Sequence, residues 1–306
     1  MPVIDFTAAQ GGILRINGFL RRGVSIGFAH NTGSVTVTGT LSRTLDEDTL
    51  VAAGSTVTGT LAATLEQDTL AAAGTMSVAP QWGSVTTNSA LAAASTGVTI
   101  TKPSGLVDTD VLYAFISKSS FADSNNFTCS GWTSLLAAGT TTENDRHITI
   151  LRKVITSASG EPANYTFVTT SGTTVGMAGL IVRVSGANNT TPEDVTPTSS
   201  HRVFAVNDAT PASVDITTVT ANTLVMQYCM LQLSSTATKT WGAPSGYTQD
   251  PLAVVAETTS ASSDQQCGVA YKTQAAAGAV GTNVWTHTAD DSSTDNVAAV
   301  IVVRPA

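Results

Sequence analysis

At 306 residues with 42% apolar side chains, the chain is long enough to bury a large core, which excludes wholesale disorder. Charged residues make up only 12%, about half the ~25% usual in soluble domains. The net charge of −8 argues against a general nucleic-acid binder, because neutralising phosphates takes clustered Lys and Arg. Thr, Ser, Ala and Gly replace the missing charges. Threonine suits a half-buried pleated surface, whereas helical surfaces draw on Lys, Glu, Gln and Arg, which are scarce here. The composition points to an all-β protein.

In chain order, residues 1–30 carry Arg15, Arg21 and Arg22 against Asp5 alone. With Ile13, Leu14, Ile16, Phe19 and Leu20, this stretch reads equally as a docking segment on an acidic body or as a plain N-terminal strand. An amphipathic helix would set Ile13, Ile16 and Leu20 on one face, although Gly18 and Gly23 weaken it; an N-terminal strand with exposed arginines is the plainer alternative. The opening Met-Pro-Val-Ile-Asp-Phe lacks the basic and apolar regions of a signal peptide. No stretch approaches the ~18 apolar residues of a transmembrane helix.

A repeat follows. The pattern G-T-L-x-x-T-L-x-x-D-T-L-x-A-A-G starts at Gly39 and recurs twenty residues later at Gly59. β-Branched Thr and the closing Gly favour short strands joined by turns over helix. Each unit holds too few large apolar side chains for its own core. Leu41, Leu45, Leu50, Leu61, Leu65 and Leu70 must therefore be buried against the other copy, another subunit or a host surface. Residues 1–75 are thus expected to form an attachment segment.

From residue 76 the texture changes to alternating runs separated by Ser, Gly, Asn and Pro clusters. Strands are expected at 97–101, 109–117, 147–155, 164–169, 176–184, 214–219, 222–231, 267–273, 283–287 and 297–303. Two halves, about 96–190 and 212–306, resemble each other. Ile148 aligns with Gln266, Met177 with Val297, and Gly131-Trp132-Thr133 with Gly246-Tyr247-Thr248. The expectation is one large antiparallel β-sandwich over 76–306, jelly-roll-like, with pseudo-repeated halves.

That texture resembles the jelly-roll modules of tailed-bacteriophage virion proteins. It runs through Pro103-Ser104-Gly105, Asp110–Ile116, Gly131-Trp132-Thr133, Arg152-Lys153-Val154, Gly160–Phe167, Ala178–Gly186 and the closing Val302-Val303-Arg304-Pro305. The Thr-Leu repeat is similar to short β-repeats of phage structural proteins. The resemblance implies a virion surface protein, of head-decoration, head-fibre or tail-fibre type. It also implies assembly in a host cytoplasm, other virion proteins as partners, and a homo-oligomer, with trimers common in such appendages.

Chemistry-bearing patterns are few. The chain has no G-x-S-x-G elbow, no phosphate-binding G-x-x-x-x-G-K-[ST] loop and no H-E-x-x-H. His30, His147, His201 and His287 are isolated in sequence and read as structural or exposed. Asp290–Asn296 offers closely spaced oxygens for calcium but lacks the glycine and terminal glutamate of an EF-hand loop, so a solvated turn is the better reading. Asp46-Glu47-Asp48 becomes Glu66-Gln67-Asp68 in the second copy and reads as a surface turn rather than a glycosidase acid pair. Cys129, Cys229 and Cys267 are too few and scattered for a disulfide framework, and Cys229 reads as a core thiol. The expectation is no enzyme, no cofactor and no metal. Trp132, Trp241 and Trp285 would be the contacts if the sandwich binds host glycans, though core packing is favoured for them. A receptor-binding tail-fibre module is therefore the alternative to a decoration protein, with a polysaccharide-degrading enzyme or bacterial adhesin further behind.

Overall fold

The computed structural model describes residues 41–42, 51–52, 61–62, 71–72, 78–92, 97–119, 126–139, 146–169, 175–206, 212–213, 215–232, 240–257, 265–287 and 293–306. The chain divides into two compact units, Met1–Met76 and Ser77–Ala306. In the first, β1 (Leu41–Ser42), β2 (Val51–Ala52), β3 (Leu61–Ala62) and β4 (Ala71–Ala72) are spaced ten residues apart. β1 pairs in parallel with β3, Leu41 opposite Leu61, and β2 pairs in parallel with β4, Val51 opposite Ala71. The register equals the twenty-residue sequence period, so one copy of the repeat stacks on the other. Ile13, Leu14, Ile16, Phe19, Leu20, Leu45, Leu50, Leu65 and Leu70 lie outside the described residues.

The second unit is built from two chain halves. The first half supplies β5 (Gln81–Ala92), β6 (Val98–Thr101), β7 (Val111–Ser119), β8 (Thr133–Gly139), β9 (Arg146–Val154), β10 (Asn164–Phe167) and β11 (Val175–Ser185). The second supplies β12 (Thr198–Val206), β13 (Thr217–Thr218), β14 (Thr223–Gln232), β15 (Trp241–Gly242), β16 (Thr248–Glu257), β17 (Gln265–Gln274), β18 (Gly278–Ala279), β19 (Thr286–His287) and β20 (Ser293–Val303). One five-stranded antiparallel sheet runs β5-β11-β7-β9-β8, the other β12-β20-β14-β17-β16. Replacing each strand of the first order by its counterpart in the second half reproduces the second order. The match extends to the small pairings. β6-β10 answers to β13-β18, and the Thr128–Val168 bridge answers to β15-β19. Within each half the chain passes repeatedly between a large sheet and small outer pairings, with β8-β9 and β16-β17 as hairpins inside the large sheets, so each half is its own jelly-roll-like wrap.

Backbone geometry marks the same repeat. Thr109 (φ 74°) and Asn222 (φ 57°) are the two non-glycine residues with positive φ among those described, and they are 113 positions apart. Gly131 (φ 78°) and Gly246 (φ 80°) also correspond. The Trp132 N–H donates to the Cys129 carbonyl (3.1 Å), and the Tyr247 N–H donates to Pro244 (3.0 Å), so this aligned corner is the same turn twice.

The strand alignment needs a correction. Phe115 and Tyr228, also 113 apart, stack on each other across the two sheets with ring centroids 5.4 Å apart. Their strand partners are Ile150 and Leu180 for Phe115, and Val269 and Ala299 for Tyr228, which sets the later offsets at 119. Ile148 therefore answers to Cys267 rather than Gln266, and Ala178 rather than Met177 answers to Val297. The sequence misled because these strands are apolar on both sides and lack the alternation that fixes phase.

Burial explains that pattern. All nine residues of β7 are buried. One side chain set, including Tyr113, Phe115, Leu180, Met226, Tyr228, Val269 and Ile301, fills the space between the two large sheets. The other set of the first half, including Ile100, Leu112, Ile116, Phe167 and Ile181, is covered by its own outer wrap. In the second half the outer faces pack in two clusters, around Trp285 and Leu231 and around Val225 and Val302. Phe115 sits where the halves meet, fully buried. Phe115→Ala is expected to cost about 3–5 kcal/mol in urea-induced unfolding at unchanged m-value.

Candidate functional site: the seam and the two ends of the sandwich

Two cross-sheet contacts occupy equivalent places at one end of the seam. Trp82 pairs with Val184, and Glu193 bridges to Val303, which is the counterpart of Val184 at an offset of 119. Each reaches the opposite sheet. Trp82 stacks on Tyr271, with centroids 4.4 Å apart and planes within 8°, and donates its Nε1–H to Asp250 Oδ2 at 3.1 Å. Glu193 forms an ion pair with Arg152, the counterpart of Tyr271, and accepts a hydrogen bond from the Tyr113 hydroxyl at 3.0 Å. One backbone position is thus served by an aromatic stack in one half and by a charge-assisted pair in the other. Burial raises the Tyr113 phenol well above its ordinary range, and the Glu193 charge adds to the effect.

The same end carries further ion pairs. Arg183 Nε meets Asp110 Oδ2 at 2.6 Å, and Lys153 Nζ meets Glu161 Oε2 at 2.9 Å. Arg304 Nε lies 3.5 Å from Asp194 Oδ1, while Asp194 Oδ2 accepts the backbone N–H of Val219 (2.7 Å) and Thr220 (3.2 Å). These charges lock turns and the closing segment.

At the other end Gln265 Nε2 donates across the seam to the Gly176 carbonyl at 2.7 Å, beside buried Ser117, Tyr228 and Cys267. Ser119, Gly139, Arg146, Val175, Val206, Gln232, Glu257, Gln265 and Ser293 all terminate strands here, as the pairing registers require. The intervening sequences, such as 140–145 and 258–264, are rich in Ser, Thr, Asn and Asp.

The residues singled out from sequence fall as follows. Trp285 is fully buried, Trp241 is 9% exposed, and they pack edge-to-face at 5.3 Å. Neither offers a ring face to a sugar, so a stacking role for these two is withdrawn in favour of core packing. Trp132 is half-buried, edge-on to Tyr165 (5.1 Å) and Phe167 (5.2 Å). Leu41 and Leu61 are paired repeat positions. Of the acidic loop, Ser293–Asn296 belongs to β20 and pairs with β12, with Asn296 buried; Asp290, Asp291 and Ser292 lie outside the described residues. Among the described residues no three His, Cys, Asp or Glu side chains are grouped to hold a metal ion. Cys229 and Cys267 are buried thiols and Cys129 is half-buried. Sequence reading missed the Glu193–Arg152–Tyr113 and Trp82–Tyr271–Asp250 contacts, since nothing local marks partners so far apart in the chain.

Burial also raises the Tyr228 phenol, with a smaller contribution from Cys267, and lifts the Cys267 thiol from 9.0 to about 11. The unfolded chain therefore releases these protons at a lower pH than the fold does. Stability is complete below about pH 9 and falls as pH rises, by up to ~1.4 kcal/mol per pH unit for each group that only the unfolded chain ionises. Denaturant unfolding from pH 8 to 12 is expected to show that decline, and Tyr228→Phe to make it shallower above pH 10. No protein-family model, curated protein or solved structure matches the chain.

Proposed function

We propose that this chain is a structural virion protein of the capsid-decoration or head-fibre type, attached through residues 1–75 and presenting the double sandwich outward. The observation that carries the reading is the parallel, in-register pairing of the twenty-residue repeat. A stack of parallel rungs ends in strands whose outer backbone groups seek further strands, which suits an element that joins chains or docks on a lattice. Residues 77–306, by contrast, carry large cores closed by their own outer wraps. The role is one of assembly rather than catalysis, in a homo-oligomer with other virion proteins as partners.

A tail-fibre receptor-binding module recognising host glycans is the second reading. It is favoured by the gathering of strand termini, and so of polar connecting sequences, at one end of the sandwich. With Trp241 and Trp285 in the core, recognition would rest on that end and on Trp132.

Electron microscopy of intact particles labelled with an antibody against residues 100–306 tests the proposal. Label over the heads, lost when residues 1–76 are deleted, is the expected result. Label at the tail tip would shift the assignment to receptor binding, and particles without label would contradict a virion role.

A further inference from the structure

The two large sheets have four edge strands, and three are blunted. β5 is covered by the β6 segment, whose Ser104, Thr101 and Thr99 carbonyls accept hydrogen bonds from Ser84, Thr86 and Asn88, and β16 lies alongside it. β16 contains Pro251 and a register break between Gln249 and Val254. β12 carries His201 and Arg202 and breaks register between Arg202 and Ala205, and the Ser200 hydroxyl is bonded to the Ala212 carbonyl. Proline, charge, bulges and covering segments are the usual devices that stop an edge from pairing.

β8 has a single-residue bulge at Leu135 and none of the other devices. It pairs with β9 on one side only, and among the described residues nothing pairs with its other side. Its seven residues, Thr-Ser-Leu-Leu-Ala-Ala-Gly, include no charge and no proline. Thr133, Ser134 and Ala137 are exposed, while Leu135 and Leu136 are half-buried. The internal repeat shows what an equivalent edge does when it is covered. β16, the counterpart of β8, lies against β5 of the other half, whereas β8 barely meets β12, the counterpart of β5.

We infer that this edge of β8, unpaired among the described residues, is a docking strand for a second copy of this chain, pairing antiparallel with its partner's β8. Charge selects that occupant. The chain carries −8 overall, so acidic faces of two copies repel, yet residues 129–142 carry no charge at all. Self-pairing centred on Leu136 sets Thr133 opposite Gly139 and Ser134 opposite Ala138, all small and neutral. An isologous two-fold contact of this kind closes on itself and joins two five-stranded sheets into one of ten strands. The inference stands independently of any virion role, since it rests on the sandwich alone.

Sedimentation equilibrium of the full chain and of a Thr133→Lys/Ala137→Lys variant provides the test, because the lysines bring like charges together across the two-fold. The wild-type mass is expected to be twice that of the variant, and association through residues 1–76 would survive the substitutions in both. Hydrogen exchange on the wild-type chain gives a second readout that does not depend on the variant folding. Amides of 133–139 are expected to become at least tenfold more protected as concentration rises through the association range. Equal masses for the two chains, a monomeric wild type, or exchange at 133–139 that ignores concentration would each overturn the inference.

Discussion

The structure of residues 77–306 depends on one constraint: each five-stranded sheet is apolar on both faces and must be covered twice. Its outer cover comes from its own half of the chain, through small pairings such as β6-β10 and β13-β18. Its inner cover can come only from the other half. A central strand such as β7, buried along its whole length, would leave Val111, Tyr113 and Phe115 facing water if the second half were absent. Exposing such a row of large side chains costs roughly 1.5–3 kcal/mol each. The halves repeat one fold, yet they form a single body because the repeat unit is incomplete.

Repetition also explains where sequence and chemistry diverge. On the line where the halves meet, counterparts touch each other, as Phe115 and Tyr228 do. Away from it, the two copies of one contact are separate and free to change. The position of Trp82 is occupied by Glu193 in the second half, and their targets Tyr271 and Arg152 have changed with them. A stack and an ion pair thus bridge the same gap between the same strands. The conserved quantity is the reach across the seam rather than the residue type.

Much of this architecture was legible, and the failures have a common cause. The ten strands expected from sequence include all six interior strands of the large sheets. The four large-sheet strands that went unseen, β5, β8, β12 and β16, are the four edges. Edge strands have one neighbour, tolerate Thr, Ser and Pro, and are broken by bulges, as at Leu135 and at 250–253, so their alternation is weak. The repeat of Gly131-Trp132-Thr133 as Gly246-Tyr247-Thr248 was readable because a positive-φ glycine and an aromatic must recur together to make that turn. Core packing is the favoured sequence reading of Trp241 and Trp285, and both are buried; what the sequence does not show is their edge-to-face pairing, since the two lie far apart in the chain.

The functional proposal rests on the same division of labour, with a repeat whose copies pair in parallel and a sandwich whose cores are closed by its own outer wraps. Its physical premise is that the two halves of the sandwich share one core. The most direct test uses the tryptophans, which all lie in the sandwich. In one variant only Trp132 remains, with the other three tryptophans replaced by Phe, to report on the first half. In another only Trp285 remains, to report on the second. Fluorescence-monitored urea unfolding of the two variants should give equal midpoints and m-values once each is referred to its own circular-dichroism transition, because neither sheet survives without the other. A Trp132 transition separated from that reference, with the other half still folded, would contradict the account.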